Sequence, residues 1–332
     1  MSKIENIGEQ LLPAIAYGDA AGLPVETMSR ERIAETYGSI DHLLPATYNP
    51  FYIGEFTPGT WSDDTQLSMA VARALTRVHR FDMTTIAGEH VAEYMHTPQV
   101  IKKSGQAVKR GWGGSTTAAV ERYIAGSPTY ECGTPSGAGN GVIMKMAPLA
   151  WWLIAHKTVD QEAYAQLDEF TSFTHASDVA KVASRVHYDV LTYLHDAIPL
   201  RDLGGAAYVS AWLHEGEVGE DNHSVSNSLY YLTGDRIRTT DDIRSNTDGK
   251  GFYVPETLAM AYGAYILNGG EYTSSVYEAV NMGGDTDSTA SIVAAMSLFQ
   301  HGDVTHRPND FEQTLHYDGL RDVSRGLVEA AA

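Results

Sequence analysis

The sequence predicts an all-α fold. Three observations carry that reading. Apolar residues recur at i, i+3, i+4 and i+7 in one segment after another. Serine, aspartate and glycine sit at the ends of those segments, where helices start and stop. Runs of alternating β-branched residues are nearly absent.

Taken in order, 7–20 reads as a helix with Leu11, Leu12, Ala14, Ile15 and Ala16 on its apolar side, stopped by the glycines and Pro24 of GDAAGLPVE, 18–26. The polar stretch 28–60 carries glycine, proline and aromatics and reads as irregular. In WSDDTQLSMAVARALTRV, 61–78, Leu67, Ala70, Val71, Ala74, Leu75 and Val78 keep strict helical spacing. Ser62 is its natural N-cap, with Asp63 and Asp64 in the first turn. Helices are also predicted over 82–96, 115–126, 142–157, 175–197, 204–214, 255–268, 272–280, 286–300 and 317–330. No tandem repeat appears. Helix density is similar on both sides of the polar stretch 215–252, so that stretch reads as an insertion or lid within one domain spanning 1–332.

Composition narrows the function. A chain of 332 residues that is 43% hydrophobic can bury a large core. Its net charge of −19 repels nucleic acid and anionic lipid. A small anionic ligand remains compatible if a metal or a helix N-terminus supplies local positive potential. The single cysteine, Cys132, has no internal disulfide partner, which fits a reducing compartment. No run of 18 apolar residues and no signal peptide is visible, so a soluble cytoplasmic protein without membrane contact is expected.

Two motifs concentrate acid. Ser62, Asp63 and Asp64 open one predicted helix; Asp285, Asp287 and Ser288, in NMGGDTDSTASIVAAM, open another. Each set satisfies the simple needs of a helix N-terminus. Yet both helices are rich in small residues and read as central, so the carboxylates would be half buried, which costs several kcal/mol if they stay unpaired. No lysine or arginine lies nearby in sequence. Hard divalent cations are the alternative partners, and neither motif holds a histidine or cysteine for zinc. Gly283 and Gly284 permit the turn that lets Asp285 and Asp287 face one point.

The chain resembles the ADP-ribosylglycohydrolase family. The likeness runs in order through GDAAGLPVE (18–26), WSDDTQLSMAVARAL (61–75), GNGVIMKMAPLA (139–150), THASDVA (174–180), GFYVPETLAMAYGAYI (251–266) and NMGGDTDSTASIVAAM (281–296). The resemblance implies a compact orthogonal all-helical domain built around two divalent cations, Mg²⁺ or Mn²⁺, at helix N-termini. It implies Ser62, Asp63, Asp64, Asp285, Asp287 and Ser288 as ligands, with serine at 62 and 288 where threonine is common. It implies hydrolysis of the bond between ADP-ribose and an acceptor, through a transition state with positive charge on the ribose. Glu26, Asp64 and Asp287 are the implied catalytic set, Glu26 acting on a metal-bound water or on substrate position. Ser136, Gly139, Asn140, Gly141, Met144, His175, Trp112 and Tyr253 are the implied ADP-ribose contacts, the glycine loop through its backbone N–H groups. One position departs: Gly111 stands where members acting on ADP-ribosyl-arginine often carry aspartate, which leaves the acceptor open. Two other readings compete. One is a non-catalytic ADP-ribose-binding or crystallin-like member. The other is a metal phosphohydrolase using His195 and Asp196, a pair that lacks helix-spaced histidine partners.

Overall fold

A computed structural model describes residues 1–45, 49, 56–234, 236–304 and 306–332. The chain is all-α, as its periodicity predicts. In order come α1 (Lys3–Gly22), α2 (Arg30–Tyr37), α3 (Asp63–Val78), α4 (Met83–His96), α5 (Gly114–Ile124), α6 (Thr129–Cys132), α7 (Ala147–Ala155) and α8 (Asp160–Thr174). Then follow α9 (Asp178–His195), α10 (Leu200–Val218), α11 (Ser224–Leu229), α12 (Thr240–Arg244), α13 (Val254–Leu267), α14 (Tyr272–Met282), α15 (Thr286–His301) and α16 (Tyr317–Ala331). No helix is long and apolar enough to cross a membrane among the described residues.

Four details differ from expectation. Helix α2 lies inside the stretch expected to be irregular; Ser29 caps it and Ile33 anchors it in the core. Parts of that stretch, 46–48 and 50–55, lie outside the described residues. Helix α8 falls where no helix is predicted, and Ala163, Leu167, Phe170 and Thr174 form its buried stripe. A short antiparallel hairpin, β1 (Gln99–Ile101) with β2 (Ala107–Lys109), pairs Val100 with Val108. Finally, 215–252, expected as a surface insertion or a partly helical lid, is partly helical but packs Val225, Leu229, Leu232 and Ile243 into the core.

Helices α1 and α15 form the centre. Every residue of α15 from Thr286 to Phe299 is buried, so the helix has no solvent face. Its hydroxyls find carbonyls nearby and across the core: Thr289 Oγ1 donates to Asp285 O at 2.7 Å in its own turn, and Thr286 Oγ1 to Gly22 O on α1 at 2.8 Å. Small residues on α1 let the two backbones meet. A Cβ on Gly18 would sit 2.5 Å from the Ala290 carbonyl oxygen, and one on Gly22 would collide with the backbone of Thr286 and Asp287. This approach delivers the start of α15 to the end of α1. Gly283 and Gly284, both with positive φ, then route the chain between two other loops. Gly284 N donates to Met28 O at 2.8 Å, Thr27 N to Gly284 O at 2.7 Å and Asp285 N to Lys250 O at 2.8 Å. Glu26 and Asp285 are thereby fixed side by side.

An exposed helical glycine gains roughly 0.5–1 kcal/mol of stability on replacement by alanine. For Gly22→Ala a loss of about 1–3 kcal/mol is expected instead, because the added methyl overpacks the α1–α15 contact. Urea denaturation measures the sign, and a gain in stability would show that the close approach does not exist.

Candidate active site

Asp63 and Asp64 occupy the first turn of α3, whose N-cap is Ser62. Asp285 is the N-cap of α15 and Asp287 lies in its first turn. The two helix starts and Glu26 meet at the floor of a cavity of about 310 Å³. All five carboxylates are more than nine-tenths buried. Asp285 makes no side-chain cap to its own helix, so capping does not explain it. Among the described residues, none of the five forms an ion pair with lysine or arginine.

What holds them is a set of donors. Asn140 Nδ2 donates to Asp285 Oδ2 at 2.7 Å and to Gly251 O at 3.0 Å. Asp64 accepts from Ser62 Oγ at 3.1 Å, Ser288 Oγ at 3.3 Å and Ser291 Oγ at 3.0 Å. Ser288 N donates to Asp287 Oδ1 at 3.0 Å. A sixth carboxylate, Asp19, stands behind them, fully buried. It accepts from Ser62 N at 2.8 Å, Thr65 N at 3.0 Å and Thr65 Oγ1 at 2.6 Å, so α1 itself caps α3.

These donors do not neutralise the charge. Burial raises Asp63 to about 7, with the charge of Asp19 adding to it. Burial raises Asp19 to about 6 against the hydrogen bonds from Thr65 and Ser62. Burial together with neighbouring carboxylates pushes Glu26, Asp64 and Asp287 well above the usual carboxylate range. Two helix N-termini supply about +0.5 charge each, and the charges of Lys102 and Lys145 act on Glu26 and Asp63 in the same sense, yet burial outweighs them at both carboxylates. Among the described residues, Glu26 Oε2 is buried with no hydrogen-bond partner. Glu26, Asp285 and Asp287 each place one oxygen within 4.8 Å of the others. An oxygen-only donor set, an orphaned carboxylate oxygen and an uncompensated negative charge fit a hard divalent cation.

The cavity also brings together Trp112, Gly139, Asn140, Gly141, Met144 and His175. Ser62 lies behind Asp64, fully buried and off the cavity surface. Ser136 is exposed and does not line the cavity. Tyr253 lines a separate groove with Asn246 and Glu256. The Asn140 N–H is already bonded to Phe252 O at 3.1 Å, so that amide is not open to a phosphate. Trp112 is pinned by Nε1 to Gln66 Oε1 at 3.0 Å. Gly111 has φ +80°, and a Cβ there would strike Asp63 Oδ1, so any side chain at 111 displaces that carboxylate. His195 bonds Asp196 at 3.0 Å at the end of α9, and neither lines this cavity. The expected set lacked Lys102, Lys109 and Phe252 on the rim and Asp19 behind the floor.

The raised carboxylates fix a sign. Their unfolded values lie at roughly 4, so the folded chain keeps protons that the unfolded chain releases. Stability is then full below the unfolded value and is lost as pH rises through the folded values. Chelator-treated protein is expected to lose Tm progressively from about pH 5 to pH 8. Asp63→Asn should flatten that slope, and a Tm that rises over this window contradicts the account.

The profile of a family described as ADP-ribosylglycohydrolase matches residues 10–331. An ADP-ribosylarginine hydrolase of Serratia proteamaculans is 25% identical over 292 residues, which cover 88% of this chain and 70% of that protein. The ADP-ribosyl-dinitrogen reductase glycohydrolase of Rhodospirillum rubrum is 28% identical over 142 residues, 43% of each chain. A solved structure titled "ADP-ribosylglycohydrolase-related protein complex" superposes over 100% of both chains with a TM-score of 0.71 at 20% identity, a likeness of fold.

Proposed function

The chain belongs to the ADP-ribosylglycohydrolase family, and from that premise we propose a divalent-cation-dependent hydrolase that frees ADP-ribose from a modified protein side chain or a small ADP-ribosyl ester. The observation that carries the cation is the buried carboxylate cluster with its orphaned Glu26 oxygen. Asp63, Asp64, Asp285, Asp287 and Ser288 would hold two ions, Mg²⁺ or Mn²⁺, with Ser62 behind them as a donor to Asp64. When bound, such ions supply charge that activates water and orients ribose hydroxyls.

The chain's own residues do the rest. Glu26 is raised well above the carboxylate range, mainly by burial, and sits at the cavity floor. It is placed to hold or take a proton from the attacking water. Asn140 keeps Asp285 in orientation and the three serines keep Asp64 in orientation. Asp64 and Asp287 place negative potential under the ribose carbon that becomes positive as the acceptor leaves. Met144, Trp112 and the Gly139–Gly141 turn wall the cavity against bulk water. Ser136 and Tyr253 would reach ADP-ribose only where it extends beyond the cavity. The chemistry belongs to the intracellular compartment expected for this chain.

ADP-ribosyl-arginine, ADP-ribosyl-serine and O-acetyl-ADP-ribose peptides or esters are the substrates to offer. Release of ADP-ribose that needs Mg²⁺ or Mn²⁺ and stops with EDTA is the expected result on at least one. Asp285→Ala should lower kcat/KM by at least about a hundredfold. ADP-ribose binding with no turnover on any of them would favour the non-catalytic reading. Gly111→Asp should weaken cation affinity by displacing Asp63, which titration of Mn²⁺ by calorimetry checks; unchanged affinity would contradict that placement.

A further inference from the structure

Lys145 ends the 3₁₀ turn Asn140–Lys145 that follows the glycine loop, and its side chain is completely buried. It forms no ion pair among the described residues. Its Nζ lies 3.3 Å from Thr174 Oγ1 and 5.7 Å from the centre of the Phe170 ring. Burial lowers its pKa and the Asp63 carboxylate, beyond ion-pair distance, only partly offsets that, so the ammonium depends on its hydrogen bond.

Thr174 Oγ1 has a second partner, His175 Nδ1, at 2.8 Å. An ammonium has only donors, and a hydroxyl has one proton. The threonine oxygen can accept twice, but among the described residues its proton has no acceptor other than Nδ1, so Lys145 donates to the oxygen and the threonine donates to Nδ1. His175 Nδ1 is then an acceptor, and the single ring proton sits on Nε2. The imidazole stays neutral, since burial and the nearby Lys145 charge lower its pKa to about 3. Nε2 faces the cleft: a Cβ on Gly139 would lie 3.6 Å from it, and one on Gly141 3.5 Å. His175, Gly139 and Gly141 all line the cavity.

We propose that Lys145 is a positioning residue which, through Thr174, fixes His175 as the tautomer that presents an Nε2–H donor to an oxygen of the bound substrate. The ligand part rests on the function proposed above, with ADP-ribose oxygens, of phosphate or ribose, as the acceptors. The opposite tautomer would point a lone pair at those oxygens and repel them.

The test is ring ¹⁵N–¹H NMR of His175 in the full chain at about pH 6, below the Lys145 value of about 7, paired with ADP-ribose titration. In the unaltered protein the proton is expected on Nε2. Lys145→Met should move it to Nδ1 or to a mixture and weaken ADP-ribose binding about tenfold. Lys145→Arg, which keeps the donor, should retain both properties. Thr174→Val breaks the same chain without touching the lysine and should reproduce the tautomer change, so a poorly folding Lys145→Met leaves the test intact. An Nδ1–H tautomer in the unaltered protein overturns the proposal. So does an unmoved Nε2–H with unchanged affinity in both Lys145→Met and Thr174→Val. If the tautomer responds as stated but ADP-ribose does not bind at all, the relay stands and the substrate assignment falls.

Discussion

Mutual repulsion among carboxylates at the floor of one cavity is the constraint on which the rest of this structure depends. Glu26, Asp63, Asp64, Asp285 and Asp287 are each less than 10% exposed. Like charges in such a place resist ionising together. Two helix ends, about +0.5 each, a few hydroxyl and amide donors and the more distant charges of Lys102 and Lys145 do not outweigh burial at Glu26 and Asp63. On the proposed function a cation supplies what the protein lacks, and the structure keeps the carboxylates together where it would bind.

That arrangement is built from backbone approach rather than from bulky side chains. The α1–α15 contact at Gly18 and Gly22 sets where α15 begins. Gly284 is clasped by loops on both sides, which aligns Glu26 with Asp285. Asp19, one turn before the end of α1, accepts the first amides of α3 and so fixes Asp63 and Asp64 relative to Asp287. One helix, α1, therefore positions both halves of the site. A pre-formed set of charges and dipoles needs no rearrangement as positive charge builds on a ribose carbon.

The sequence showed much of this because its signals are local. The Leu67–Val78 stripe and the glycine pair before Asp285 are legible in a short window. So is the choice of oxygen ligands over histidine or cysteine. Other features depend on distant partners. Asp19 reads as a polar residue near the end of a helix, and only its hydrogen bonds to Ser62 and Thr65 reveal its role. Lys145 looks like an ordinary basic residue, and its burial beside Thr174 is a tertiary fact. Helix α8 had a readable stripe in Ala163, Leu167 and Phe170, diluted by its acidic first turn. Ser136 and Tyr253 were placed by likeness of motif, yet loop geometry puts them outside the cavity. The Gly111 substitution acquires a physical meaning only when Asp63 is seen against it.

The most direct test of the central claim is an anomalous difference map from crystals equilibrated with Mn²⁺. The account predicts two peaks among Glu26, Asp63, Asp64, Asp285 and Asp287, within coordination distance of their oxygens. Carboxylates left without any peak, paired to one another through protons at neutral pH, would contradict it.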